Sequence, residues 1–218
     1  MKKYLVLLVL LSVGPLGWAQ NIHFGIKAGA NLGNGVGKDV QESKLRLAYH
    51  AGAVLNVGLG LLGDSILSIQ PEVLYSVKGD QATATDSSIN AQLTYIDVPV
   101  LLKANVGGLF FEAGPQFSFF RTAKPNASTS LNASTPVLTT TTPEYPKVGY
   151  GFAFGFGYQD EGGFNVGWRY SQDLSAITKS ITDNTTRTTS EVQVRNSTLQ
   201  FYVGYMFGHR KKSGKSSK

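Results

Sequence analysis

The segment 148–170, VGYGFAFGFGYQDEGGFNVGWRY, constrains the fold more than any other part of the chain. In its first half, aromatic residues alternate with glycine or alanine, which is the period-two pattern of a β-strand. The alternation resumes after Asp160-Glu161-Gly162-Gly163, a short polar turn. The segment therefore predicts a β-hairpin with one aromatic face and one face of small or polar residues. The aromatic face needs a large apolar environment, and a lipid bilayer is one such environment.

The same two-sided alternation recurs along the chain and predicts eight strands, at residues 23–31, 46–60, 65–76, 93–104, 109–119, 148–158, 164–171 and 198–208. Their connections alternate in length, with short turns at 61–64, 105–108 and 160–163 and long loops at 32–45, 77–92, 121–147 and 172–197. This pattern predicts an all-β fold, an eight-stranded antiparallel transmembrane up-and-down β-barrel. Its short turns and both termini would be periplasmic, and its long loops extracellular.

The two ends of the chain have compositions of their own. Lys2 and Lys3 precede an apolar run, and Gly17 and Ala19 are the small residues of a cleavage site, so residues 1–19 are predicted to be a signal peptide. The barrel would occupy 20–208, followed by a basic periplasmic tail at 209–218. These ends hold seven of the 20 basic residues, which leaves 13 against 14 acidic ones. The nearly neutral body argues against a nucleic-acid partner.

A soluble barrel of the lipocalin type is the structural alternative, since it has eight strands with the same alternation turned inside out. The small residues on the polar face of 148–158 favour the membrane barrel, because they suit a crowded interior better than a soluble exterior. Aromatic residues also gather toward the strand ends, as in interfacial girdles. A soluble carrier of an apolar ligand remains the alternative to a membrane protein.

The polar faces of the predicted strands would place seven titratable side chains in the lumen: Lys27, His50, Glu72, Asp97, Lys103, Glu112 and Arg169. The interior of an eight-stranded barrel is just wide enough to be filled by side chains. Buried charges persist when they are paired. These residues are therefore predicted to form a structural polar network that plugs the lumen.

The turn positions predict approximate registers for this network. Glu112 would lie opposite Leu101 and diagonal to Lys103, close enough for an ion pair with that lysine. Glu72 would lie near His50. Arg169 would lie beside Ala153 or Gly155, whose small size leaves room for the guanidinium group.

The sequence predicts no enzymatic site and no bound cofactor. Nucleophilic catalysis by serine needs a histidine and an orienting acid, and the three histidines are His23, His50 and His209, none of them in a predicted long loop. Histidine and carboxylate residues at metal-ligand spacing are also missing. No catalytic, cofactor-binding or metal-binding residue is therefore predicted.

Several predicted strands resemble those of the PorT family of Gram-negative outer-membrane β-barrels. The similar stretches are FGIKAGANLGN at 24–34, IQPEVLYSVKG at 69–79, YIDVPVLLKAN at 95–105, FFEAGPQFSF at 110–119 and LQFYVGYMFG at 199–208. The resemblance implies a location in the bacterial outer membrane, and the family's namesake is associated with protein export.

The functional hypothesis is a structural or accessory membrane component that acts through loops 121–147 and 172–197, in protein export or surface interaction. Its expected partners are outer-membrane lipid and lipopolysaccharide, with an envelope or secretion-machinery protein as a further partner. A narrow pore for small solutes and a soluble carrier are the alternative functions.

Overall fold

A computed structural model describes residues 22–36, 43–60, 66–84, 87–127, 147–175, 177–183 and 188–208. The predicted signal peptide and basic tail lie outside these residues. Ten β-strands are present in the described chain: β1 (Ile22–Val36), β2 (Ser43–Lys44), β3 (Arg46–Gly58), β4 (Leu67–Ala84), β5 (Ser87–Val106), β6 (Leu109–Ala127), β7 (Val148–Gln159), β8 (Phe164–Asp173), β9 (Ile177–Asp183) and β10 (Thr188–Met206).

Eight of the ten strands form a closed antiparallel barrel, as predicted. Strands β1 and β3 to β8 pair in chain order, β8 pairs with β10, and β10 returns to β1. The closing pair runs from Gly25 opposite Met206 to Val36 opposite Arg195. Closure leaves no free sheet edge in the barrel wall, which a strand-built structure in lipid requires. Strands β2 and β9 are additions that pair with β4 and β10.

The barrel has two unlike ends. The turn end carries the β5–β6 and β7–β8 turns, together with Ile22 and Met206. The loop end carries the β4–β5 hairpin, whose last pair is Ala84 with Ser87, and the β9–β10 hairpin.

The prediction of loops at 77–92 and 172–197 was wrong, because both segments are largely β-strand. Strands β4, β5, β6 and β10 have 18, 20, 19 and 19 residues, whereas about 9–11 suffice to cross a bilayer. An apolar face is the signal by which the sequence pattern identifies a strand. The extensions of these strands lack such a face. Cross-strand backbone hydrogen bonds stabilise such hairpins whatever the polarity of the side chains.

The outer and inner faces of the wall differ in polarity. Exposed side chains on β7 alternate as Tyr150, Phe152, Phe154, Phe156 and Tyr158, and similar apolar side chains cover the other barrel strands. The buried positions are predominantly polar or charged. This is the reverse of a soluble barrel, so a lipocalin-like carrier is not favoured. No helix in the described ranges has the length and apolar character to cross a membrane.

Candidate functional site

The lumen brings together all seven titratable side chains named from the sequence. Each is buried: Lys27, His50, Glu72, Asp97, Lys103, Glu112 and Arg169. They come from six barrel strands, because alternate residues of each strand point inward. The lumen is therefore the densest concentration of buried polar groups in the described part of the chain.

Arg169 lies at the centre of the principal charge cluster, with no exposed surface. Its Nε and Nη2 donate to Glu112 Oε1 at 2.9 and 2.6 Å. Its Nη1 donates to Glu72 Oε2 at 2.8 Å, and Nη2 also donates to Glu72 Oε1 at 2.9 Å. The rigid fork of guanidinium donors can hold two carboxylates at once, which a lysine ammonium does with less geometric control.

Three further side chains complete this cluster. Lys27 Nζ donates to Glu72 Oε1 at 2.8 Å and lies 3.8 Å from the centroid of the Tyr202 ring. The Tyr202 hydroxyl donates to Glu112 Oε1 at 2.9 Å, and Gln70 Nε2 donates to Glu72 Oε1 at 2.8 Å. Each carboxylate thus has charged and neutral donors, which offset the cost of its burial.

Glycines on neighbouring strands leave room for these large side chains. Gly155 lies directly opposite Arg169, one of the two positions predicted. A Cβ atom on Gly167 would lie 2.7 Å from the Tyr202 hydroxyl, and one on Gly157 would lie 2.5 Å from Phe110 Cζ. The small residues of β7 and β8 are therefore needed for packing of the lumen.

The predicted pairing of Lys103 with Glu112 was wrong, although the two residues lie even closer in register than expected. They are directly opposite each other on β5 and β6. Lys103 Nζ nevertheless donates to Gln159 Oε1 at 2.8 Å and lies 4.0 Å from the Phe110 ring centroid. The physical reason is competition, because Arg169 and Tyr202 already donate to Glu112.

Glu72 was also predicted to lie near His50, but each of these residues has its main contact with another side chain. Glu72 lies opposite Val54, whereas His50 lies opposite Ser76. His50 Nδ1 is 2.7 Å from Asn31 Oδ1, so an amide and not a carboxylate orients the ring.

A second charge cluster lies nearer the loop end and was missed in part. Lys78 Nζ lies 2.9 Å from Asp97 Oδ2 and donates to Asp97 Oδ1 at 3.0 Å, with Asp97 fully buried. Asn196 Nδ2 donates to Asp173 Oδ2 at 3.1 Å in the same region. Lys78, Asp173 and Asn196 had been assigned to loops. The available signal was the position of Lys78 two residues after Ser76, which continues the polar face of β4.

The two clusters balance their charges across the described lumen. The buried cations are Lys27, Lys78, Lys103 and Arg169, and the buried carboxylates are Glu72, Asp97, Glu112 and Asp173. No group of three or more metal-ligating side chains occurs within the described ranges. The arrangement therefore supplies paired charges and hydrogen bonds along the barrel axis, without a set of ligands for a metal ion.

A comparison with family models agrees with the architecture. The sequence profile described as outer membrane protein beta-barrel domain matches residues 18–179. No curated protein sequence matches the chain significantly. Solved structures similar to it include Neisserial surface protein A, with 14% identity, a TM-score of 0.48 and coverage of 84% of this chain and 96% of that one.

Two further solved structures have 10% identity to the chain. OprG from Pseudomonas aeruginosa has a TM-score of 0.49, with 85% of this chain and 94% of that one covered. Ail of Yersinia pestis, in complex with the heparin analogue sucrose octasulfate, has a TM-score of 0.43, with 86% and 100% covered. With the profile match across most of the chain, the protein belongs to the outer membrane protein β-barrel domain family and is an eight-stranded barrel of the bacterial outer membrane.

Proposed function

We propose that the protein is a non-conducting outer-membrane barrel with a structural or accessory role. The observation that carries this proposal is the position of Arg169, whose guanidinium group bridges Glu72 and Glu112 with no exposed surface on any of the three side chains. A conducting path would have to break these contacts and leave buried charges without partners, at a cost of about 3–5 kcal/mol. The network is therefore a plug and not the lining of an open channel.

The same proposal places both termini and the turn end in the periplasm and the loop end outside the cell. Strands β4, β5, β6 and β10 are about twice as long as a transmembrane strand needs to be. Their excess length would stand above the membrane as a platform of paired strands. Such a platform suits contact with lipopolysaccharide, a surface ligand or an envelope protein.

The resemblance of several strands to the PorT family favours protein export as the process in which this accessory role is performed. The role is non-enzymatic, with His50 serving as a packing residue held by Asn31. Outer-membrane lipid and lipopolysaccharide surround the barrel wall, and a secretion-machinery protein would meet the loop end.

Single-channel recording in planar lipid bilayers tests the plug. The refolded barrel is expected to give no steady conductance, while the heat-dependent shift in its gel mobility verifies that the protein added is folded. Steady conductance steps from the folded protein would contradict the plug and favour the alternative of a narrow pore for small solutes.

In-cell photo-crosslinking tests the accessory role. A photoreactive residue at Thr122, exposed on β6 toward the loop end, is expected to capture one recurring envelope protein. The matched control is the same residue at Glu161, exposed in the β7–β8 turn. Equal capture of that protein from both positions, or capture of lipid alone from Thr122, would count against a partner at the loop end.

A further inference from the structure

The charges of the lumen balance overall but not within each cluster. The Arg169 cluster and the neighbouring Lys103 together contain three cations, Lys27, Lys103 and Arg169, against the two carboxylates Glu72 and Glu112. The cluster nearer the loop end contains Lys78 against Asp97 and Asp173. The half of the lumen toward the turn end therefore has one positive charge in excess.

Lys103 is the buried cation that forms no ion pair among the described residues. In the described lumen no carboxylate oxygen lies within 4.0 Å of its Nζ, whereas the other three buried cations each have one. Its Nζ has an amide oxygen of Gln159 as acceptor, and only 4% of the residue is exposed. An ammonium group has three donors and gains much less from a neutral acceptor than from an anion.

A recess adjoins this lysine on the turn-end side of the Arg169 cluster. Polar side chains of Lys27, Gln70, Lys103, Asn165 and Tyr202 line it, with Val54 and Met206 as apolar walls. It is closed to a water-sized molecule as it stands, and Met206 is the flexible wall, since its thioether side chain is unbranched and has three rotatable bonds.

We propose that this recess is a binding site for one small monovalent anion of the halide class, held between Lys103 and Lys27. The anion neutralises the single excess charge and accepts hydrogen bonds from the two ammonium groups. A dianion would overcompensate the single excess charge, and a recess this narrow favours the most compact anions. Displacement of the Met206 side chain admits the ion from the turn end.

Bromide provides a direct probe of the wild-type protein. Crystals of the refolded barrel grown in sodium bromide are expected to show an anomalous-scattering peak in hydrogen-bonding contact with Lys103 Nζ. A recess without a peak, or bromide at the surface only, overturns the proposal. This result is independent of any substitution and of whether the lumen conducts.

Anion-dependent stability provides the second test. The unfolding midpoint is expected to rise by roughly 3 °C for each tenfold increase in bromide at constant ionic strength maintained with gluconate. Lys103→Met should abolish this dependence and Lys103→Arg should retain it, because the arginine keeps the charge. Lys147→Met is the matched control, since Lys147 is exposed outside the lumen. The same bromide dependence in Lys103→Met as in the wild type would refute the site.

Discussion

Arg169 and Lys103 are both buried cations near Glu112, but only Arg169 forms an ion pair with it. A double-mutant cycle should therefore distinguish them. Combining Arg169→Met with Glu112→Gln is expected to give a coupling energy of about 2 kcal/mol, whereas Lys103→Met with Glu112→Gln should give less than about 0.5 kcal/mol. The free energies come from urea unfolding of the barrel in phospholipid vesicles. A larger coupling for Lys103 would restore the pairing predicted from the sequence.

Most glycines of β7 should tolerate side chains poorly, because an added Cβ would meet the backbone of β8 and, at Gly157, the Phe110 side chain as well. Gly157→Ala is expected to destabilise the barrel by about 1–3 kcal/mol, since its Cβ would lie 2.5 Å from Phe110 Cζ and close to the carbonyl oxygen of Val166. Phe110→Leu in the same chain should restore part of the loss.

Gly162→Ala is the control for this substitution. Gly162 lies in the β7–β8 turn, where the nearest atom to an added Cβ is Asp160 Oδ1 at 3.3 Å. The unfolding free energy of the Gly162→Ala variant should remain within about 0.5 kcal/mol of the wild-type value. Equal losses at Gly157 and Gly162 would mean that the cost reflects the backbone preference of glycine and not the crowding of the lumen.

Sequence alternation identified which residues face the lumen, but not which of them pair. Period two fixes the side of the wall for Glu72, Lys103 and Glu112 without error, because one strand alone determines it. Pairing depends on register across several strands and on competition among donors. Arg169 contacts Glu72 across 97 positions of sequence, a contact that no local pattern encodes.

At the scale of elements, the sequence predicted the strands within the membrane and missed their extensions. A bilayer demands an apolar outer face, which marks the spanning part of each strand. Beyond the bilayer, the outer face of a strand meets water and need not be apolar. The sequence signal is therefore lost there, although the cross-strand hydrogen bonds continue. The β9–β10 hairpin, from Ile177 opposite Val194 to Asp183 opposite Thr188, therefore had no signal in the alternation of apolar residues.

The β9–β10 hairpin should be dispensable for barrel folding. Replacing residues 178–193 with Asn-Gly keeps Ile177 and Val194 as the last pair and supplies a two-residue hairpin turn. The unfolding free energy should change by less than about 1 kcal/mol, because the pairing of β10 with β1 and β8 begins at Arg195 and Ser197. Heat-dependent gel mobility and urea unfolding measure the outcome.

A change at the opposite end of the barrel should be more harmful than this truncation. Gly163 has a φ of 92°, and a Cβ there would meet the carbonyl oxygen of Met206, whose N–H donates to Gly163 O at 2.8 Å. Gly163→Val is expected to cost about 1–3 kcal/mol in backbone strain alone. If the hairpin truncation destabilised the barrel more than Gly163→Val, the β9–β10 hairpin would be part of the folding unit and not an appendage.

For the whole molecule, the reversed polarity of the wall makes lipid the solvent of its outer surface, and Trp168 reports on this surface. Its ring packs against Phe156 at a centroid distance of 4.5 Å, on the opposite face of β8 from Arg169. The chain has two tryptophans, Trp18 and Trp168, so a chain starting at Gln20 contains Trp168 alone.

In vesicles, the fluorescence of Trp168 should be quenched strongly by lipids brominated on the acyl chains and weakly by aqueous acrylamide. Trp168→Phe with Thr122→Trp moves the probe to an exposed loop-end position and should reverse both responses, because that part of β6 lies beyond the bilayer. Strong acrylamide quenching of Trp168 would mean that the aromatic face meets water, and a wall with this face in water could not be the spanning surface of an outer-membrane barrel.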